Sequence, residues 1–331
     1  MPIHHPQLTR RQIVTLATLG TGALFRNAPV GAEVDTDPTA GISAMLTASD
    51  AIFGTVLIDT ADRLVFQRNA NSPFVAASLY KLVLMTEILR MVEQEGLDLQ
   101  EPITIAEDLY LEASAGDSYF TTDDIGTVVP LETMIYAAGA YSSNVAALSL
   151  LELTTIERLN TFSLELGLTG THYWAHEDEI DVFYPGEAGQ PGTEDIVRAR
   201  AFVRSFAIES YVNLTTPEDM AWFFRLMRDD LLVSTLTSWR LRKILASRVL
   251  SDRLPALLPN EAVVIHKTGN LTGVLHDAGI IETAQGSTIV VAMAQAVTYL
   301  DEAFAVEQKL GLVGYELIRP SANVPMASPV A

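Results

Sequence analysis

Apolar and polar positions divide the chain into three stretches. Near the start, "IFGTVLID" (52–59) and "RLVFQ" (63–67) are short runs rich in β-branched and aromatic residues. Asp59-Thr60-Ala61-Asp62 between them is a turn-forming link, so the pattern predicts a β-hairpin. The middle of the chain changes period. Apolar residues recur at spacings of three and four over 78–94, over 130–153 and, after Pro217, through "EDMAWFFRLMRDDLL", which predicts helices. Strand character returns in "AVVIHKTG", "GVLHDAGIIE" and "STIVVAMAQ", and an amphipathic helix is predicted over 302–318. The tail "RPSANVPMASPVA" is predicted to be disordered. Strands at both ends with helices between them imply an antiparallel sheet built from both termini, with the helical block inserted as its own subdomain. A cleft between the two is the natural place for chemistry.

Composition narrows the function classes. At 331 residues and 49% hydrophobic content the chain can bury a substantial core, as one large domain or two interlocked subdomains. The net charge is −20, and the first 32 residues hold three arginines and no acid, so the remainder is more acidic still. Such a surface repels phosphate backbones, and no nucleic-acid partner is expected. Without cysteine there can be no disulfide, thiol nucleophile or thiolate metal site. At the N-terminus, "LTRRQIVTLATLGTGALF" places Arg10-Arg11 before a moderately apolar stretch, and Val30-Gly31-Ala32 offers a cleavage site. This resembles a twin-arginine export signal. The stretch is too short to span a bilayer well, so an exported protein, periplasmic or secreted and without stable membrane insertion after signal removal, is expected.

One detail of the first helical run carries chemistry. "FVAASLYKLVLMTEIL" sets Ser78 and, three residues on, Lys81 on the same helical face among apolar neighbours. Four lysines stand against seventeen arginines in this chain, so a lysine here suits a task that arginine cannot perform. A desolvated lysine can lose its proton and take one from a serine, and a helix N-terminus favours a developing oxyanion. Taken alone, the pattern also describes a capping serine beside a snorkelling lysine. Two further pieces shift the balance. Ser142-Ser143-Asn144 opens another apolar helical run, where Ser142 could pass a proton to a leaving group and Asn144 could bind an amide. Lys267-Thr268-Gly269 ends a strand-like run; Lys267 and Thr268 could hold a substrate carboxylate, while Gly269 lets backbone approach closely. A strand edge there would bind a peptide-like substrate as an added strand.

In this order the three motifs resemble the penicillin-recognising serine hydrolases, class A β-lactamases most closely. "NLTTPEDMAWFFRLM" is similar to the family's Thr-Thr-Pro helix start, and the closing strands are similar too. The resemblance implies an α/β (α+β) fold: a five-stranded antiparallel sheet from both termini, flanking helices, and an all-helical subdomain over about 82–225. It divides the chain into an export signal (1–32), a catalytic domain (33–318) and a tail (319–331). It also implies Ser78 as nucleophile, Lys81 as its base, Ser142 as proton shuttle and Asn144, Lys267, Thr268 and Gly269 as substrate contacts. The Ser78 and Asn270 backbone N–H groups would form the oxyanion hole. No cofactor or metal is implied; the partner is a small β-lactam or cell-wall peptide, and a monomer is expected.

Class A enzymes carry Glu-x-x-Leu-Asn on a loop after the second motif, as the base that releases the acyl group. "LGLTGTHYWAHEDEID" resembles the approach to that loop and places Glu177 at the glutamate, Ile180 at the leucine and Asp181 at the asparagine. Glu177 is therefore the candidate deacylation base. A longer stretch than usual, including "YPGEAGQPGTED", separates it from Asn213, and Glu209 heads a competing Glu-x-x-Val-Asn. Asp181 replaces an amide, which keeps open a D,D-peptidase or penicillin-binding protein on the same fold; a non-catalytic receptor is a third reading. His172 and His176 have a spacing that could bind zinc on a helix, but the Gly-rich neighbourhood argues for a loop. His266, directly before Lys267, is expected to pack or hydrogen-bond. Tyr119 is either a cleft-wall aromatic or a loop anchor.

Overall fold

The computed structural model describes residues 39–113, 117–183, 193–207 and 211–318, so the predicted export signal and the 319–331 tail lie outside the described residues. The chain runs α1 (Ala40–Ala48), β1 (Ile52–Ile58), β2 (Leu64–Arg68), β3 (Phe74–Val75), a 3-10 turn (Ala77–Tyr80) and α2 (Lys81–Gln94). It continues through β4 (Pro102–Thr104), α3 (Glu107–Glu112), β5 (Val128–Pro130), α4 (Leu131–Tyr136), a π-helical turn (Ala137–Tyr141) and α5 (Asn144–Leu151). Next come α6 (Ile156–Glu165), β6 (His172–Ala175), α7 (Glu177–Phe183), α8 (Thr193–Ala207), β7 (Val212–Thr215), α9 (Pro217–Arg228) and α10 (Thr235–Ala246). The strands β8 (Val263–Leu271), β9 (Val274–Thr283) and β10 (Gly286–Gln295) precede a final helix, α11 (Leu300–Glu316). Among the described residues no helix is long and apolar enough to cross a membrane.

The sheet is five-stranded and antiparallel, in the order β2-β1-β10-β9-β8, so both ends of the chain build it as the pattern predicted. Its three inner strands, β1, β10 and β9, are buried along most of their length because both faces are covered. Ile289, Val291 and Met293 of β10 join the larger core with Ile52 and Val56 of β1, against α2 and α9. The intervening Val290, Ala292 and Ala294 join Phe53 and Leu57 in a second core with α1 and α11. Period-two side chains thus fill two layers from one strand. Each such Val or Ile contributes about 1.5–3 kcal/mol by burial.

The insertion between β3 and β8 is helical apart from two short antiparallel pairings, β4 with β5 and β6 with β7, the latter extended by β3. The helix predicted over 130–153 is broken. α4 passes into the π turn, Ser142 takes a left-handed conformation (φ 63°), and α5 starts afresh with Ser143 as its cap. The Ser143 hydroxyl accepts from Ala146 N–H, supplying one of the bonds a helix start lacks. Apolar spacing does not register this break, because residues on both sides still face the same core. The helix predicted from Ser78 likewise opens as a 3-10 turn, and becomes α-helical only at Lys81.

Candidate functional site

The Ser78 turn is strained and held from two sides. Ala77, just before the serine, sits at φ 45°, a conformation that persists only where the surroundings over-determine it. Ala76 N–H donates to Asn213 O (2.7 Å), and the buried Tyr173 hydroxyl donates to Tyr80 O (2.6 Å). Tyr173 is itself fixed by Asn160 of α6, whose amide oxygen accepts from Tyr173 N–H (2.7 Å) and whose amide nitrogen donates to Tyr173 O (3.2 Å). Ser78 is half-buried; Lys81 is fully buried. The Lys81 ammonium donates to Ser142 O (2.5 Å), Ser143 O (3.1 Å) and Asn144 Oδ1 (2.7 Å). Burial lowers its pKa to about 7; nearby Asp117 opposes that fall and Arg248 adds to it.

The Ser142–Asn144 corner depends on a residue that sequence reasoning missed. One carboxylate oxygen of Asp117 accepts from Ser143 Oγ (3.0 Å), Asn144 N–H (2.7 Å) and Val145 N–H (3.1 Å). The other accepts from Tyr119 and Phe120 N–H. Burial works against the charge, yet these donors outweigh it and hold the carboxyl below its ordinary value. No local pattern points to Asp117 as a brace for this corner, since its partners there, Ser143 to Val145, lie 26–28 residues downstream.

The third motif closes the site from the sheet edge. Lys267, fully buried on β8, donates to Ser142 Oγ (2.7 Å) and to Thr268 O (2.9 Å). Its pKa is pushed well down, first by burial and then by Arg248 and Lys81. Gly269 explains itself by distance: a β-carbon there would stand 3.1 Å from Ala77 Cβ and 3.3 Å from Ala76 O. The strand therefore lies directly against the Ser78 turn. Arg248, beyond α10, also escaped the sequence reading. It donates to Thr268 Oγ1 (2.5 Å) and Gly139 O (3.2 Å), and although burial lowers its pKa to about 10 it stays charged at neutral pH. Asn270 is exposed, and its side-chain oxygen accepts from the buried Arg253 (2.5 Å).

The remaining candidates fall around this cluster. Glu177 opens α7 with a half-buried side chain. Ile180, one turn on, packs with Val75 and Ala77, which draws α7 alongside the Ser78 turn. Glu209 and the "YPGEAGQPG" stretch lie outside the described residues, as does the Asp181 side chain. His172 Nε2 lies 3.4 Å from the Asn160 amide, whereas His176 is exposed and meets the Tyr211 ring. The buried His266 contacts Asp277 (2.7 Å). Tyr119 is partly exposed and packs edge-on against Phe120, Tyr136 and Tyr141.

This architecture has counterparts. A family model described as the β-lactamase enzyme family matches residues 37–317. The chain belongs to the β-lactamase enzyme family. Among solved structures, a β-lactamase from Sphaerobacter thermophilus DSM 20745 superposes with a TM-score of 0.69 at 19% identity, covering 85% of this chain and 97% of that one. PBP-A superposes at 0.66 with 17% identity, over 88% and 98% of the two chains. An ancestral class A β-lactamase gives 0.66 at 23% identity, over 84% and 99%. At these identities the likeness establishes the β-lactamase/transpeptidase-like fold, which β-lactamases and PBP-A share. No curated protein matches the chain.

Within this hydrolase family, the geometry offers a serine on a strained turn, a buried amine titrating near neutrality, and a second hydroxyl held by a second amine. Arg248 and Thr268 add a cation and a hydroxyl fitted to a carboxylate.

Proposed function

We propose that this family member is a serine hydrolase of class A type that opens β-lactams through an acyl-enzyme on Ser78. The observation that carries the reading is the convergence of two buried lysines on Ser142, Lys81 at its carbonyl and Lys267 at its hydroxyl. Neutral Lys81 takes the Ser78 proton as Oγ attacks the lactam carbonyl carbon, and the Ser78 and Asn270 N–H groups receive the oxyanion. The ring C–N bond then breaks, and Ser142 Oγ gives its proton to the departing nitrogen. Asn144 binds the substrate amide, while Lys267, Thr268 and Arg248 hold its carboxylate. Glu177 takes a proton from the water that hydrolyses the ester, restoring Ser78.

A D,D-peptidase or penicillin-binding protein on the same fold is the second reading, favoured by Asp181 where an amide is expected. Export, inferred from Arg10-Arg11 and the apolar stretch after it, would place either activity where β-lactams and cell-wall peptides are met.

An intact-mass time course with a penicillin decides between them. A Ser78 adduct that forms and decays while hydrolysed drug accumulates supports the β-lactamase. An adduct that persists for hours transfers the reading to the penicillin-binding protein. No adduct, or an adduct that survives in Ser78→Ala, removes both.

A further inference from the structure

A groove of ≈ 450 Å³, within the size range of small-molecule sites, is lined in part by Tyr119 but by none of Ser78, Lys81, Ser142, Asn144, Lys267 and Thr268. Its floor is the buried Leu89 and Ile135, and its walls include Tyr119, Tyr136 and Trp239. Trp239 is 46% exposed. The charge of the groove runs against that of the molecule. The chain carries 41 acids against 21 lysines and arginines, yet α10 has Arg240, Arg242 and Lys243 and no acid at all. Arg242 is spent internally, on Asp230 (2.7 Å) and on Met227 O. Arg240 and Lys243 line the groove, and among the described residues neither is ion-paired. Lys243 lies over the Trp239 ring instead, 4.6 Å from its centre. Glu132 also lines the groove, accepting from the Gln100 amide (2.9 Å), so two cations face one carboxylate there.

Two cations without an acidic partner among the described residues, beside three aromatic rings on a protein that is otherwise strongly acidic, form a combination with a definite complement. The rings and the aliphatic floor match a flat apolar body; the cations match one negative group at its edge. We propose that this groove is a second ligand site, separate from the Ser78 cleft, for a small aromatic monoanion such as an aryl carboxylate. The anion would pair with Arg240 and Lys243, and the ring system would lie on Trp239 and Tyr136. The site does not depend on which reaction the cleft performs.

Calorimetric titration of the full chain with 2-naphthoate tests this, with neutral 2-naphthamide as the uncharged match. The expected result is one site per chain, at least tenfold weaker for the amide. The double variant Arg240→Gln/Lys243→Gln should weaken naphthoate at least tenfold, and Trp239→Ala should do the same. All three positions are at the surface, so the thermal midpoint should stay near that of the parent, which guards against loss of fold. Arg248→Gln, which removes the cation of the cleft, should leave naphthoate binding unchanged. Equal affinity for the amide, undiminished binding by the double variant, dependence on Arg248, or no binding at millimolar naphthoate would each overturn the proposal.

Discussion

The surroundings of Ser78 and the surroundings of Glu177 are built differently. Around Ser78, hydrogen bonds join elements distant in sequence: Tyr173 to Tyr80, Lys81 to the 142–144 corner, Lys267 to Ser142, Asp117 to the α5 start. Around Glu177 the described hydrogen bonds are local, such as His176 N–H to Glu179 (2.8 Å), and the long-range anchor is apolar, Ile180 packed with Val75 and Ala77. Hydrogen bonds fix direction as well as distance, whereas apolar packing fixes position alone. The half of the site suited to forming an acyl-enzyme is thus preorganised in orientation, and the half suited to breaking it rides on a separate short helix. Variants in the two halves should therefore separate the two steps.

The largest effect is expected from Lys81→Met, which should slow acylation by a penicillin about 10²–10⁴-fold. In the parent, the acylation rate should climb with pH up to about 7 and level off above, because Lys81 becomes neutral there. Stopped-flow kinetics from pH 5 to 9 check this, and a flat profile would remove Lys81 as the base. Keeping this amine buried also costs stability. Below pH 7 the cost is roughly 5 kcal/mol, and it falls away between about 7 and 10.5, where the unfolded chain alone still holds the proton.

Glu177→Gln comes next. Acylation should stay within about threefold while deacylation slows by about 10²-fold or more, so the adduct accumulates in the mass time course. Unchanged turnover would move the base elsewhere, with Glu209 the next candidate. The smallest effect is expected from Tyr173→Phe, which deletes one buried hydrogen bond to the Ser78 turn. Stability should fall by roughly 1 kcal/mol, or about 2–4 °C in Tm by calorimetry. Acylation should slow several-fold and deacylation should not change, since the hydroxyl that is lost donates to Tyr80 O of the Ser78 turn.

How much of this was legible beforehand depended on range. Ser78 and Lys81 are three residues apart, so their pairing as candidates was local and readable. Lys267-Thr268-Gly269 was readable for a similar reason, as a short string ending a strand. Asp117, Arg248 and Tyr173 were not, because each acts on a segment far away in the chain and none sits in a pattern of its own. Arg248 follows α10 by two residues, yet it works at Thr268 and Gly139. The break at Ser142 was missed for a different reason: a π turn shifts the helical phase by about one residue, too little to disturb apolar spacing.

Periodicity and short motifs, read from the sequence by itself, determined the two-ended sheet, the helical insertion and the identity of the serine and lysine candidates. These follow from side-chain direction along a single element, which neighbouring residues dictate. The tertiary structure alone decided how the candidates meet: that both lysines converge on Ser142, that Gly269 lies against Ala77, and that an aspartate between the motifs holds the corner together. Burial decided the chemistry as well. A lysine in water keeps its proton near pH 10.5, and only the packed core around Lys81 brings that value to about 7.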